Sequence, residues 1–315
     1  MQRPSRFAIL AAFAGLYVIW GSTYLAILFA IKSIPPLLMA GTRFLLAGAI
    51  LYTIARLTGA VRSTAMEWRT AAIVGACLLL GGNGGVTLAE QYVPSGLAAL
   101  LVATVPLYIA LLSWLFGMSE RPSALAAVGL AGGFLGVGVL LGPALHFSSD
   151  SESPHAWIGM LILLCSSLIW SAGSLYSRKA KNAPSPFLAA GQQMLCGGGL
   201  MLVVGVVCGE LRHFQPAQIT MLSLGAFAYL VLIGGIIGYA SYAFLLRHCE
   251  PAKVATYAYV NPIVAVLLGA AFAGEKLTMR TLVAAAMIIG SVAIVITANS
   301  RRANSPVVAA ADCPR

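Results

Sequence analysis

The chain has 315 residues, of which 60% are hydrophobic and only 9% are charged. A soluble domain is about half apolar and about a quarter charged, so this composition excludes a soluble globular protein. The net charge of +10 comes from basic residues scattered along the chain, a distribution that is typical of membrane-protein loops and argues against a nucleic-acid partner.

Apolar stretches long enough to cross a membrane follow one another along the whole chain. Crossing about 30 Å of hydrocarbon takes a helix of about 20 residues. The sequence contains ten such stretches, at 7–29, 36–56, 69–88, 96–116, 124–142, 157–177, 186–208, 219–243, 253–273 and 280–298. The first is too long for the apolar region of a signal peptide, so we expect it to be retained. The sequence therefore predicts an all-α membrane protein with ten transmembrane helices.

The positions of lysine and arginine predict the orientation of the chain. If the N-terminus is cytoplasmic, fourteen basic residues lie in inner segments and four lie in outer loops. The four outer residues are Lys32, Arg212, Lys276 and Arg280, and the loop at 143–156 has none. Because cytoplasmic loops carry the excess of Lys and Arg, we expect a multi-pass protein of the inner (plasma) membrane with both termini in the cytoplasm.

The cysteine and histidine patterns argue against covalent or metal cross-links. Four of the six cysteines fall within predicted spans and two fall on the predicted inner side. The sequence contains no CxxC motif and no His-rich cluster. We therefore expect no disulfide, no metal site and no cofactor.

The second half of the chain resembles the first at an offset of 150 residues. Ile19-Trp20 falls on Ile169-Trp170, and residues 36–48 share six identities with residues 186–198. Shared Leu, Ala and Gly could reflect composition alone, but tryptophan and proline landmarks in matching order favour a repeat. Because each copy holds five helices, the second copy must enter the membrane from the opposite side. We predict repeats at 7–142 and 157–298, followed by a disordered cytoplasmic tail at 299–315.

Three segments also carry a family resemblance. They read "IWGSTYLAILFAIKSIPPLLMAGTRFLLAG", "NGGVTLAEQYVPSGLAALLVATVPLYIALL" and "ATYAYVNPIVAVLLGAAFAGEKL". The chain resembles the EamA family of the drug/metabolite transporter superfamily, and within it the YedA-like exporters, over nearly its whole length. The resemblance implies two inverted EamA repeats, a central cavity, and export or exchange of small metabolites such as amino acids or amphipathic compounds. One departure is Ser119, where the family usually has glycine, and we expect it to affect only a loop turn.

Aromatic residues inside several spans are candidates for the lining of a cavity. Trp20 and Trp170 lie well within the first and sixth spans, away from the membrane interface where tryptophan usually collects. A buried indole N–H needs an acceptor or a polar cavity. Residues of similar amphipathic character are Thr23, Tyr24, Tyr239, Tyr242 and Tyr257. Together they would form a wide, mostly neutral pocket for an amphipathic solute, although each could instead be an ordinary core aromatic.

Arg43 is the one arginine within an otherwise apolar span. It lies seven residues after Pro36, which is about 10 Å along a helix. An unpaired arginine at this depth is costly, and Glu90, at the end of the third span on the same side, is the natural partner. The corresponding position in the second repeat is Gln193. We expect a structural or gating ion pair between Arg43 and Glu90, or else an Arg43 that binds an anionic part of the substrate.

Two amides and two prolines complete the candidate site. Asn83 and Asn261 are neutral donors and acceptors at depth, and they would line the cavity or join helices. Pro106 and Pro262 fall within the fourth and ninth spans and would leave the carbonyls of Val102 and Ala258 without their helical partners. Such discontinuities mark the substrate site of many inverted-repeat carriers, but prolines also kink helices that bind nothing.

These features favour a transporter over an integral-membrane enzyme or a channel. All four histidines fall in loops or at span ends, and no GxSxG, HExxH or phosphate-binding loop occurs. We predict a secondary transporter that works by alternating access, with a small-molecule substrate and the lipid bilayer as partners and a monomeric or homodimeric state. Glu90 is the one candidate for proton linkage, since no other acidic residue lies near the cavity.

Overall fold

The computed structural model describes residues 5–142, 155–249 and 251–303, and within them the chain is helical, without strands. We number ten main helices: α1 Arg6–Ala30, α2 Pro36–Leu57, α3 Ala65–Ala89, α4 Ser95–Leu115, α5 Ala124–Leu141, α6 Ala156–Lys179, α7 Pro186–Val207, α8 Met221–Leu246, α9 Tyr257–Phe272 and α10 Met279–Ala303. Short helices occur at Glu210–His213, Pro216–Gln218 and Pro251–Val254.

The helices agree closely with the spans expected from hydropathy. Within the described part of the chain, nine helices are long and apolar enough to cross a membrane, and α9, with 16 residues, is a shorter apolar helix. The span expected at 253–273 is divided into the short helix Pro251–Val254 and α9. Helix α10 continues to Ala303, so residues 299–303 of the expected tail are helical. The remainder of that tail and most of the expected 143–156 loop lie outside the described residues.

Polar side chains at the helix starts bind backbone N–H groups that have no partner within the helix. Thr64 and Glu67 form a capping box at the start of α3, in which each side chain accepts from the backbone N–H of the other residue. Ser123, Ser185 and Thr220 cap α5, α7 and α8 through their hydroxyl groups. These local signals determine where the helices begin.

Helices α2 and α7 approach each other closely because glycines face each other across their contact. A Cβ atom on Gly41 would lie 2.9 Å from the carbonyl oxygen of Gly198, and one on Gly48 would lie 3.0 Å from that of Gly191. Small residues of this kind allow two backbones to come together in a membrane, where dispersion contacts drive helix association. The four glycines are the ones that the 150-residue offset pairs as 41 with 191 and 48 with 198.

Three helices depart from regular α geometry. Helix α3 contains a π-helical segment at Ala76–Gly84, and α8 contains one at Leu230–Ile237. Helix α4 is interrupted at Ala103 and Thr104. Because π-helical segments are often found at functional sites, the segments in α3 and α8 indicate where a functional site would lie.

The contact between α2 and α7 gives a test with two adjacent glycines. We expect Gly198→Ala to destabilise the protein by about 1–3 kcal/mol, because its Cβ would lie 2.9 Å from both the Gly41 oxygen and the Leu45 nitrogen. Gly199→Ala is the matched control, since nothing lies within 4 Å of its Cβ position. Thermal unfolding of both variants in detergent checks this, and equal midpoints would contradict a close contact between the two backbones.

Candidate functional site

Four of the predicted aromatic residues lie together in the structure. The Trp20 ring lies 5.3 Å from Tyr242 and 5.2 Å from Tyr257, measured between centroids, and the latter pair is edge-to-face. Tyr239 extends the group, with its ring 6.2 Å from Tyr242, and its hydroxyl donates to the carbonyl of Pro186 at 3.1 Å. Helices α1, α8 and α9 therefore supply one aromatic cluster, whose offset geometries are the favourable ones for such rings.

The two tryptophans expected from the repeat each lie against a glycine beside a π-helical segment. A Cβ atom on Gly238, directly after the segment in α8, would lie 2.6 Å from Nε1 of Trp20. A Cβ atom on Gly82, within the segment of α3, would collide with the six-membered ring of Trp170. In both cases only glycine leaves room for the indole, which faces it through the five-membered ring in Trp20 and through the six-membered ring in Trp170.

Thr23 and Tyr24 lie one turn further along α1 and have different neighbours. The Thr23 hydroxyl donates to the Trp20 carbonyl at 2.6 Å, so its own helix uses that donor. Its methyl group faces Gly234 of α8 at 3.2 Å from the Cβ position. Tyr24 packs against the main apolar core.

Asn261 joins helices through backbone acceptors. Its side chain is 8% exposed, and with Nδ2 directed at the neighbouring carbonyls it donates to Tyr17 at 3.2 Å and Tyr257 at 3.3 Å. Tyr17 lies on α1 and Tyr257 on α9, so the amide links two helices. This geometry corresponds to the second of the two roles expected for Asn261, which was to join helices. The residue also lies directly before the buried Pro262.

The two prolines occupy different places relative to the helix breaks. Pro106 is the second residue after the break in α4, where a missing N–H is tolerated. The Thr104 hydroxyl donates to Leu101 at 2.6 Å. The Ser171 hydroxyl of α6 lies 2.7 Å from the carbonyl of Ser167 in its own helix and 3.2 Å from that of Val105. Pro262 lies inside α9 instead, six residues after Thr256, which precedes that helix. The two prolines, which we expected at matching depths, therefore differ in their local geometry.

Arg43 binds Asn83, and this differs from the partner that we expected. Its side chain is 5% exposed, Nη2 donates to Oδ1 of Asn83 at 3.3 Å, and the guanidinium lies 4.4 Å from the ring centroid of Phe44. Glu90 lies seven residues beyond Asn83, about 10 Å further along α3. Its carboxylate oxygens are buried and have no hydrogen-bond partner, so no hydrogen bond joins Arg43 to Glu90.

Two carboxylates that the sequence analysis did not select hold helix starts at one end of the bundle. Glu210 accepts from the backbone N–H groups of Leu37 at 3.0 Å and Leu38 at 2.8 Å, at the start of α2. Glu275 accepts from the N–H and hydroxyl of Ser95 at 2.7 and 2.6 Å and from the N–H of Gly96 at 3.0 Å, at the start of α4. We call this the carboxylate end. In the sequence, these two residues are notable only because acidic residues are few and because Glu210 and Glu275 each follow shortly after a predicted span.

Comparison with known proteins identifies a matching family and several similar proteins. The model of the EamA-like transporter family matches residues 6–142 and 157–297. The "Uncharacterized inner membrane transporter YedA" of Escherichia coli K12 is 38% identical over 302 residues, which cover 96% of this chain and 94% of that protein. The "Probable amino-acid metabolite efflux pump" of Salmonella typhimurium is 26% identical over 287 residues, or 88% and 91% of the two chains.

A solved crystal structure shares the fold. Its TM-score is 0.62 at 23% sequence identity, and the similarity covers 92% of this chain and 98% of the other. At this identity the likeness concerns the arrangement of the helices alone.

A double-mutant cycle tests the contact between Arg43 and Asn83. We expect Asn83→Ala to destabilise the protein by about 1–3 kcal/mol, because it leaves a buried guanidinium without its acceptor. In Arg43→Gln the same change should cost less, which gives a coupling energy of about 0.5–3 kcal/mol in unfolding experiments. Asn182→Ala is the control: Asn182 binds the local carbonyls of Ser177 and Ala180, so its cost should be the same with and without Arg43→Gln. Additive losses for Arg43 and Asn83 would show that the contact is not formed.

Proposed function

Because the chain belongs to the EamA-like transporter family, we propose that it is a secondary transporter that exports or exchanges small metabolites. The observation that carries the proposal is the paired arrangement of Trp20 on Gly238 and Trp170 on Gly82. In each case an indole of one family-matched half lies against a glycine in an irregular helix of the other half. Such a pair suits a site that opens alternately to the two sides of the membrane.

The proposal includes ten membrane helices in two inverted five-helix repeats. The short helix Pro251–Val254 and α9 together cover residues 251–272, which is 22 positions and enough to cross a membrane that needs about 20. The reciprocal glycine contacts of α2 and α7 support a twofold relation, because Gly41 faces Gly198 and Gly48 faces Gly191. In this arrangement both termini lie in the cytoplasm and the carboxylate end faces outward.

The substrate would bind between the aromatic cluster and Trp170. Trp20, Tyr242 and Tyr257 offer apolar ring faces with hydroxyl and indole N–H groups at their edges, which suits an amphipathic solute or an amino acid with an apolar side chain. A relative named as a probable amino-acid metabolite efflux pump supports this range of substrates. Asn83 and Arg43 would bound the site toward the carboxylate end.

Alternating access then requires the carboxylate end to open. Glu210 and Glu275 belong to the second family-matched segment, whereas the helix starts that they bind belong to the first. Hydrogen bonds to a charged group are stronger than neutral ones, so these contacts favour an arrangement that is closed at this end. Opening would separate the carboxylates from Leu37 and Ser95 or move both partners together.

Export by overproducing cells tests the function. We expect small metabolites to accumulate outside cells that overproduce the wild type and to fall at least fivefold for Trp20→Ala and Trp170→Ala, since about 1 kcal/mol of lost binding changes affinity roughly fivefold. Ser119→Gly is the control, because Ser119 is exposed in a loop. Undiminished export by both tryptophan variants at normal expression would mean that the substrate binds elsewhere.

Single cysteines in a cysteine-free variant test the orientation. We expect Gln218→Cys, exposed beyond α7, to react with an impermeant thiol reagent in intact cells because it would lie outside. Lys181→Cys, exposed between α6 and α7, should react only after the cells are opened. Labelling in the reverse order would contradict cytoplasmic termini.

A further inference from the structure

Glu90 is a carboxylate without a hydrogen-bond partner at the end of α3. Its side chain is 3% exposed, and neither Oε1 nor Oε2 has a hydrogen-bond partner. Other carboxylates in the described part of the chain contrast with it. Glu67, which is 6% exposed, accepts from Thr64, and Glu210 and Glu275 each accept from the start of a helix. Glu90 therefore has no evident role in holding the fold together.

The charged and titratable groups around Glu90 come from several elements. Tyr24 of α1, Arg43 of α2 and Glu275, which follows α9, are the titratable or charged side chains near enough to influence its ionisation. Helix α6 packs against this part of α3 through Gly159 and Ser166, which do not titrate. The balance around Glu90 is thus one cation, one further carboxylate and one phenol.

An ionised carboxylate is strongly disfavoured where it is removed from water and accepts no hydrogen bond. Arg43 does not pair directly with Glu90, because its guanidinium donates to Asn83 and neither Glu90 oxygen accepts a hydrogen bond. Binding a proton removes the charge of Glu90 and leaves Arg43 as the one full positive charge of this group. The observed arrangement therefore suits a neutral Glu90 and a separate Arg43.

We propose that Glu90 is the proton-binding site that couples export to the proton gradient. It is protonated while the carboxylate end is closed, as in this structure. Proton release breaks the carboxyl O–H bond, the proton passes to water, and the carboxylate then pairs with Arg43. Each cycle would carry one proton inward, taken up when the carboxylate end is open to the outside. This inference rests on the proposed transport function.

Infrared spectroscopy of the purified protein tests the protonation without reference to transport. At neutral pH we expect the wild type to give the carbonyl stretch of a protonated carboxylic acid, and Glu90→Gln, a nearly isosteric change, to lack it. Glu67→Gln is the matched control and should keep the band, because Glu67 is also buried but hydrogen-bonded. A wild type without the band, or a band that persists in Glu90→Gln, overturns the proposal. If Glu90→Gln does not fold, Glu90→Asp must shift the band.

Export measurements then separate coupling from function. A protonophore should lower wild-type export of the accumulating metabolite several-fold, whereas the remaining export by Glu90→Gln should not respond. Wild-type export that is unaffected by the protonophore would overturn the coupling role and leave the transport function intact. A wild type that exports nothing would contradict the proposed function and, with it, the coupling role.

Discussion

The requirement that every backbone N–H and C=O group find a partner in hydrocarbon governs this molecule. Water cannot satisfy these groups inside a membrane, and a helix can cross it because its backbone hydrogen bonds are internal. Wherever a helix starts or breaks, the chain has to supply another polar group. The break in α4 shows this, because the Thr104 hydroxyl donates to the carbonyl of Leu101 beside it.

The same requirement explains why so few polar side chains remain for a solute. Asn261 donates to backbone carbonyls of two helices, and the Thr23 hydroxyl donates to its own helix. Glu210 and Glu275 bind the N–H groups at the starts of α2 and α4. Among the described buried groups, the Glu90 carboxylate and the Gln192 amide have no hydrogen-bond partner.

Much of the fold and part of the site could be predicted from the sequence, because hydropathy and landmark residues depend on local composition. The family was identified from its motifs, and the comparisons confirm it. Trp20, Tyr242 and Tyr257 were selected as amphipathic residues within spans, and the structure brings their rings together. Tryptophan and tyrosine usually collect at the membrane interface, so their positions within spans are a signal that is already present in the sequence.

The membrane class and the helices follow from the sequence, because a span of about 20 apolar residues is stable in lipid as a helix, and the family follows from motifs. Which groups meet depends on the tertiary structure. Arg43 reaches Asn83 and not Glu90, because contact depends on how α2 lies against the π-helical part of α3. The roles of Gly82 and Gly238 likewise follow from an indole on another helix, which no local pattern encodes. Pairings between helices that are distant in sequence depend on how the whole bundle packs. The residues that determine this packing are spread over the chain.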